Sequence, residues 1–446
     1  MKILIAGAGE VGNHLAKLFC NEDHDVILMD SDEEKLRKAE SHFDLMTVVG
    51  SVTSIDDLRD AQVGSCDLFI AVPPYEEVSI LSAMLATKLG AKKTIARINN
   101  YEYLLPENLE YFRQLGVDEV IYPEHLAAQE IMASLKQVGI RQMFQFSDGK
   151  LLLYAVKLRN NAPIVGLTLS QASAMHEKNA YFTVAINRDG KTIIPRGKDS
   201  FQHNDLAYVV TTKEGAAQLL ADAGKVQYEV RNVMILGGSR IGKKVAKELE
   251  HQYHIKLIEI NKEKSARLAD FLENTLVING DGRNLDLLKD EGIAKTDAFI
   301  AVTDNSEVNI LACQLAKKMG VKKSVAEVEN MDYIDLAENI GIGTIVNKKL
   351  IAASYIYRHT FKANVSYVKC LTATDADVLE LVARQGAKIT KGPLRSLDLP
   401  RDMNIGGIIR NNEVLIPNGD TRIEANDRVV VFALPSGIKK VEKMFL

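Results

Sequence analysis

The chain opens on a short apolar run, Lys2 to Ala6, which passes into the turn Gly7-Ala8-Gly9-Glu10-Val11-Gly12. Beyond the turn, Leu15, Leu18 and Phe19 recur at helical spacing, and a second apolar run, Asp25 to Met29, ends on Asp30. Short apolar runs bounded by turn residues read as strands, and recurrence every three to four positions reads as one face of a helix. The alternation continues, and because parallel strands require crossover connections it predicts a parallel α/β lobe.

The same pattern occurs twice. KILIAGAGEVGNHLAKLF returns as NVMILGGSRIGKKVAKEL, with Gly7 matching Gly237 and Gly12 matching Gly242 at an offset of 230. SCDLFIAV returns as KTDAFIAV, and LSAMLATKLGAKKTIARINN lines up with LACQLAKKMGVKKSVAEVEN. A smaller pattern follows each copy. Two β-branched strands flank a turn (Asn187 to Gly190; Arg410 to Glu413), then come a proline (Pro195; Pro417), an aspartate (Asp205; Asp427) and a last apolar strand. The predicted fold is α/β: two tandem Rossmann-like parallel-sheet lobes at 1–135 and 226–355, each followed by a small α+β lobe, at 136–225 and 356–446.

The glycine turns point to a ligand. Gly7 permits the tight turn, Gly9 lets a pyrophosphate approach the backbone, and Gly12 lets the helix pack closely on the sheet. Unpaired amides at the helix start then face phosphate, and Asp30 is placed for ribose hydroxyls. The alternative is a purely structural turn. The first-lobe candidates are Gly7, Gly9, Glu10, Val11, Gly12 and Asp30, with Ser51, Val52, Ala71 and Arg97 at the ends of later strands. In the second lobe they are Gly237, Ser239, Arg240, Ile241, Gly242, Glu259, Asp281, Thr303 and Asn305, with Asp304 and Asn309 nearby.

The two copies differ where it matters. Ser239 stands where the middle glycine belongs, so a side chain intrudes on the phosphate path, although Arg240 offers a charged fork. Pro73 and Pro74 replace Thr303 and Asp304, removing backbone donors, and Arg97 faces Glu327 as its counterpart. Arg97 is read as a pyrophosphate partner or as an ordinary surface ion pair. The two sites are expected to behave differently.

Composition narrows the function. The chain has 446 residues, with 55 Lys and Arg against 59 Asp and Glu, a net charge of -4, so no cationic field draws it to nucleic acid. No run approaches the length of a membrane-spanning helix, and the start is not that of a signal peptide, so the expected place is the cytoplasm. Cys20, Cys66, Cys313 and Cys370 lie far apart and are expected to be reduced. No nucleophile elbow, Walker turn or zinc pattern occurs. His14 is expected to face out of the first helix, and His251 and His254 to be surface or capping residues. With no catalytic group or metal set identified, a sensor is preferred to an enzyme. A dehydrogenase-like enzyme remains the alternative, as does a regulator of another cation transporter.

These motifs, together with NGDGRNLDLL, FIAVTDNSEVNILACQLAKKMGVKK and the closing RIEANDRVVVFA, resemble the TrkA family over essentially the whole chain. Members of that family are nucleotide-binding regulatory subunits of prokaryotic Trk potassium uptake systems, built from tandem RCK units. The resemblance implies NAD or NADH at the first lobe and NAD(H), ATP or ADP at the second. It also implies assembly as a tetramer on a TrkH-like membrane transporter, which holds the subunit at the membrane. Nucleotide binding would then favour one angle between lobes and so gate potassium flow. Apolar helix surface near Leu104 to Leu115, Leu126 to Leu135 and Ile334 to Ile345 is expected to serve swapped or paired contacts, or the core.

Overall fold

In the computed structural model the first run of apolar segments forms β1 (Lys2–Ala6), β2 (Asp25–Asp30), β3 (Met46–Val49), β4 (Leu68–Ala71), β5 (Thr94–Arg97) and β6 (Glu119–Ile121). The structure describes residues 1–20, 24–136, 140, 142–147, 149–176, 180–225, 228–361, 363–371, 374 and 376–446. The six strands lie in the order β3-β2-β1-β4-β5-β6, all neighbours parallel. Every residue of β4 is buried, as expected of a strand covered by helices on both faces.

The second copy repeats this with β7 (Gln142–Phe146), β8 (Leu151–Lys157), β9 (Tyr181–Arg188), β10 (Lys191–Ile193) and β11 (Leu206–Thr211) interposed as an antiparallel sheet, order β10-β9-β11-β8-β7. Strands β12 (Asn232–Leu236), β13 (His254–Glu259), β14 (Thr275–Asn279), β15 (Ala298–Ala301), β16 (Lys323–Glu327) and β17 (Thr344–Val346) then form a parallel sheet in the order β14-β13-β12-β15-β16-β17. A last antiparallel sheet contains β18 (Val365–Cys370), β19 (Asp377–Val382), β20 (Met403–Arg410), β21 (Glu413–Leu415) and β22 (Arg428–Ala433), in the order β18-β19-β22-β20-β21. Two Rossmann-like parallel lobes, each followed by a small antiparallel lobe, are therefore present.

Both small lobes carry a two-residue hairpin. Asp189 and Gly190 have φ of 51° and 77°, and Asn411 and Asn412 have 48° and 72°, the paired left-handed geometry that matches strand twist. Arg188 pairs with Lys191, so the first turn lies one residue later than the sequence placed it. Asn187 belongs to the strand, paired with Thr192 and Leu206.

Contacts divide the chain into two compact units that do not follow its linear order. The first is Met1–Leu126 with Lys348–Thr360, and the second is Ala127–Asn347 with Phe361–Leu446. The helix Pro123–Leu135 is divided between them. In the first unit, the helix Lys348–Tyr357 packs on the helix Glu10–Cys20. Phe19 and Tyr357 are fully buried there, with ring centroids 6.3 Å apart.

In the second unit the two antiparallel sheets share one apolar core, joining Phe146, Leu151 and Val210 to Val378, Val430 and Phe432. Burying each such side chain contributes about 1.5 to 3 kcal/mol. The sheets approach closely at Gly406 and Gly407. A Cβ there would lie 2.8 Å from Val210 and 2.4 Å from Leu151. Cys66, Cys313 and Cys370 are buried and Cys20 is half-buried, all as free thiols.

Candidate functional site

The helix Glu10–Cys20 begins beside the point where strand order reverses between β1 and β4, and open parallel sheets leave a crevice at that position. Gly7 turns the chain there with φ of 108°, a conformation that only glycine adopts at little cost. Its amide donates to the Met29 carbonyl at 2.8 Å. A Cβ on Gly12 would lie 1.9 Å from the Gly7 carbonyl oxygen, so the helix can sit this close to the turn only with glycine. Around Gly9 the outcome is opposite, because a Cβ there would meet nothing within 4 Å.

Among the described residues, the amides of Gly9, Glu10, Val11 and Gly12 donate to no protein acceptor. Four such donors at a helix start make a preformed anion cradle. Asp30 stands at the end of β2, half-buried; its Oδ2 accepts from the Ala8 amide at 2.7 Å and its Oδ1 from the Asp32 amide at 2.9 Å. Two backbone bonds hold the carboxylate in place and leave each oxygen with acceptor capacity.

Other first-lobe candidates have varied surroundings. Ser51 is exposed, its amide bound to Asp57 Oδ2 at 2.7 Å and its hydroxyl 3.0 Å from that of Thr53. Val52 and Ala71 are buried, so Ala71 can offer only backbone. Arg97 ends β5 and pairs with Glu124 at 3.0 Å, the two side chains 18% and 8% exposed. Arg97 is thus ion-paired, though in a largely buried pair rather than on the surface, and among the described residues its Nε has no hydrogen-bond partner.

In the second lobe much of the same equipment is already engaged. Gly237 has φ of 103°, and a Cβ on Gly242 would lie 2.1 Å from the Gly237 carbonyl oxygen. Ser239 caps the helix Arg240–Leu249, its hydroxyl accepting from the Gly242 amide at 3.2 Å. One donor that stays open in the first lobe is thus taken. Ile241 is buried and Arg240 is exposed at the helix start.

Glu259 is buried, and its carboxylate accepts from the amides of Gly238 and Asn261, both at 2.8 Å, with Lys264 at 3.2 Å. Burial pushes this acid upward, but the bonds from Asn261, Gly238 and Lys264 outweigh it and hold it below the usual carboxylate range. Arg283 clasps Asp281 and holds its carboxyl low. Asn305 caps the helix Ser306–Lys318 through the Val308 amide at 2.7 Å. Thr303 and the fully buried Asn309 bind one another at 2.7 Å, so Asn309 is a loop latch.

A further expectation is overturned. His14 does not face out: it is half-buried, and burial, then Lys17, then Lys349 lower its pKa to about 4. A helical-face argument had no means of knowing that the helix Lys348–Tyr357 would be laid over this face. The same helix brings Lys349, 7% exposed, onto Glu10 as an ion pair. Sequence reasoning missed Lys349 and Glu124 because both partnerships are purely tertiary. The apolar stretches picked out near Leu104 and Ile334 leave Tyr111, Leu115 and Leu336 exposed.

Among the described residues no helix is long and apolar enough to cross a membrane, and no group of three or more His, Cys, Asp or Glu could hold a metal ion.

Two Rossmann-type lobes, each with a glycine turn and a strand-end acid and each followed by an antiparallel lobe, define a tandem RCK-type protein. The TrkA-N domain model matches residues 3–123 and 233–348, and the TrkA-C domain model matches 153–224 and 380–446. The Trk system potassium uptake protein TrkA of Azorhizobium caulinodans is 32% identical over 451 aligned residues, covering 100% of this chain and 98% of that one. The chain belongs to the TrkA family of Trk system potassium uptake proteins. Its fold also matches the crystal structure of the GsuK RCK domain, with TM-score 0.62 and 17% identity over 100% of this chain and 94% of that one. The GsuK channel bound to NAD matches with TM-score 0.61 and 16% identity, over 100% of this chain and 78% of that one.

Proposed function

We propose that this chain is a cytoplasmic regulatory subunit that binds NAD or NADH at its first lobe and, by the resulting change of shape, gates a membrane potassium uptake protein. The observation that carries the reading is the first glycine turn, where four undonated amides surround an unobstructed Gly9 and Asp30 waits for a sugar. The pyrophosphate meets the amides of Gly9 to Gly12, the ribose hydroxyls meet Asp30, and Ser51 and Val52 border the adenosine.

The second lobe takes NAD(H) or ATP and ADP more weakly, because Ser239 and Lys264 already occupy part of its amide and carboxylate capacity. The NAD-bound state of GsuK, a protein of like fold, supports the ligand class. The subunit does no chemistry of its own; it assembles as a tetramer and is held at the membrane by a TrkH-like partner. A ligand shifts such an equilibrium only by its difference in affinity between two shapes.

Calorimetric titration of NADH, NAD, ATP and ADP into the wild type, Asp30→Ala and Glu259→Ala tests this. Asp30→Ala should weaken the dinucleotide more than Glu259→Ala does. An equal or reversed loss contradicts the assignment, and turnover of NADH with a carbonyl substrate contradicts the regulatory role.

A further inference from the structure

Lys349, from outside the first lobe's own sequence, reaches the start of the helix that follows the first glycine turn. It is the second residue of the helix Lys348–Tyr357, which lies in the first compact unit and packs on the helix Glu10–Cys20. Its side chain is 7% exposed, yet its ammonium reaches the carboxylate of Glu10, which is 70% exposed. Glu10 is the first helical residue and follows directly on Gly9. His14 lies one turn further along the same face, and the charge of Lys349 is among the causes that lower its pKa to about 4. The cation therefore sits over the first turn of the helix whose amides face the crevice.

An acid at this position is favourable for an empty helix start, since it complements the macrodipole. It is unfavourable once a pyrophosphate arrives, because two anions then compete for one cradle. A buried lysine that already neutralises the first is placed to neutralise the second.

We infer that Lys349 is a phosphate-binding residue of the first lobe's nucleotide site, and that Glu10 is the counter-ion it exchanges for the ligand's pyrophosphate. The site is then completed by a helix from the second half of the chain, so occupancy at the first turn is felt directly by that helix. The inference rests on the nucleotide reading above and adds to it a residue and a coupling route.

The test is calorimetric titration of the full chain with NADH and with adenosine, which has the sugar and base without phosphate. The panel is wild type, Lys349→Gln, Lys349→Arg, Glu10→Gln and Asp30→Ala, at low and high salt. Lys349→Gln should weaken NADH by about tenfold at low salt and leave adenosine unchanged, the loss shrinking as salt screens the charge. Lys349→Arg should retain binding, and Glu10→Gln should tighten NADH several-fold. If Lys349→Gln proves poorly folded by thermal melting, Glu10→Gln decides alone, and no tightening overturns the inference. Unchanged NADH affinity in Lys349→Gln, with a clear loss in Asp30→Ala, overturns the role of Lys349 and leaves the nucleotide reading standing. Equal loss of NADH and adenosine assigns Lys349 a structural role and also overturns it. Failure of the wild type to bind NADH removes both.

Discussion

Arg188 and Asp205, 17 residues apart, form a two-pronged pair in which Nε and Nη2 donate to the two carboxylate oxygens at 2.8 Å each. Nη2 also donates to the Ser200 carbonyl at 2.8 Å. Arg410 and Asp427 repeat the arrangement in the other small lobe, at 2.9 and 2.7 Å, with the Arg422 carbonyl as third partner. Each aspartate is buried, and each also accepts a loop amide, from Gln202 and from Glu424 respectively. The pair thus pins the loop before the last strand to the end of the hairpin strand.

Removing one member of such a pair leaves the other charge without its partner, at a cost of about 3 kcal/mol. Asp205→Ala is expected to lose roughly that much stability in urea denaturation, and Asp427→Ala to lose less, because Glu424 remains as a second carboxylate on Arg410. A loss no larger than that of an exposed ion pair, under about 1 kcal/mol, would show that the loops are held by other means.

The glycines of the first turn should separate binding from stability. Gly9→Ala adds a methyl to open space and should leave the melting temperature close to wild type while weakening NADH, because the methyl enters the phosphate path. Gly12→Ala drives a Cβ to 1.9 Å from the Gly7 carbonyl oxygen, so the helix must shift and the melting temperature should fall. The check is calorimetry beside a thermal melt for both variants. A Gly9→Ala protein that melts early but binds normally would reverse the roles.

In the second lobe, Ser239→Gly returns the open amide of Gly242 that the serine hydroxyl now holds. Replacing a helix-capping serine by glycine costs only a few tenths of a kcal/mol, so the fold should be nearly unaffected. Nucleotide affinity at this lobe should rise, read as the binding event that survives in an Asp30→Ala background. No gain would mean that the buried Glu259 and Lys264, rather than the turn, limit the site.

The parallel lobes were legible because their central strands are buried on both faces and read as short apolar runs, and because two glycine turns recur at one offset. The strand-end acids were legible for the same reason. What those acids bind was not: Asp30 is held by two amides, whereas Glu259 has also captured Lys264, a difference that depends on burial. The hairpin register slipped by one because Asn187 is a good turn residue that the sheet claims as strand. The placement of Lys348–Tyr357 over the first helix left no local signal, since an amphipathic segment records that a face is covered but not by what. His14 was misjudged and Lys349 missed through that one gap.

Lys323 opens β16 and is fully buried, its ammonium donating to the Ile140 carbonyl at 3.0 Å. Burial pulls its pKa down from 10.5 to about 7. Below about pH 7 both folded and unfolded chains carry the proton, and the folded state bears the full cost of a buried charge. Between about 7 and 10.5 the unfolded chain binds a proton that the native chain does not, so this residue makes stability rise with pH over that window. Lys323→Met keeps an unbranched chain of similar length and removes the charge, at the loss of one hydrogen bond worth about 1 kcal/mol. The variant should therefore melt above wild type near pH 6, with the gap narrowing toward about pH 9. Thermal unfolding of both proteins across that range checks it, and a gap that does not change with pH would mean that Lys323 does not titrate there.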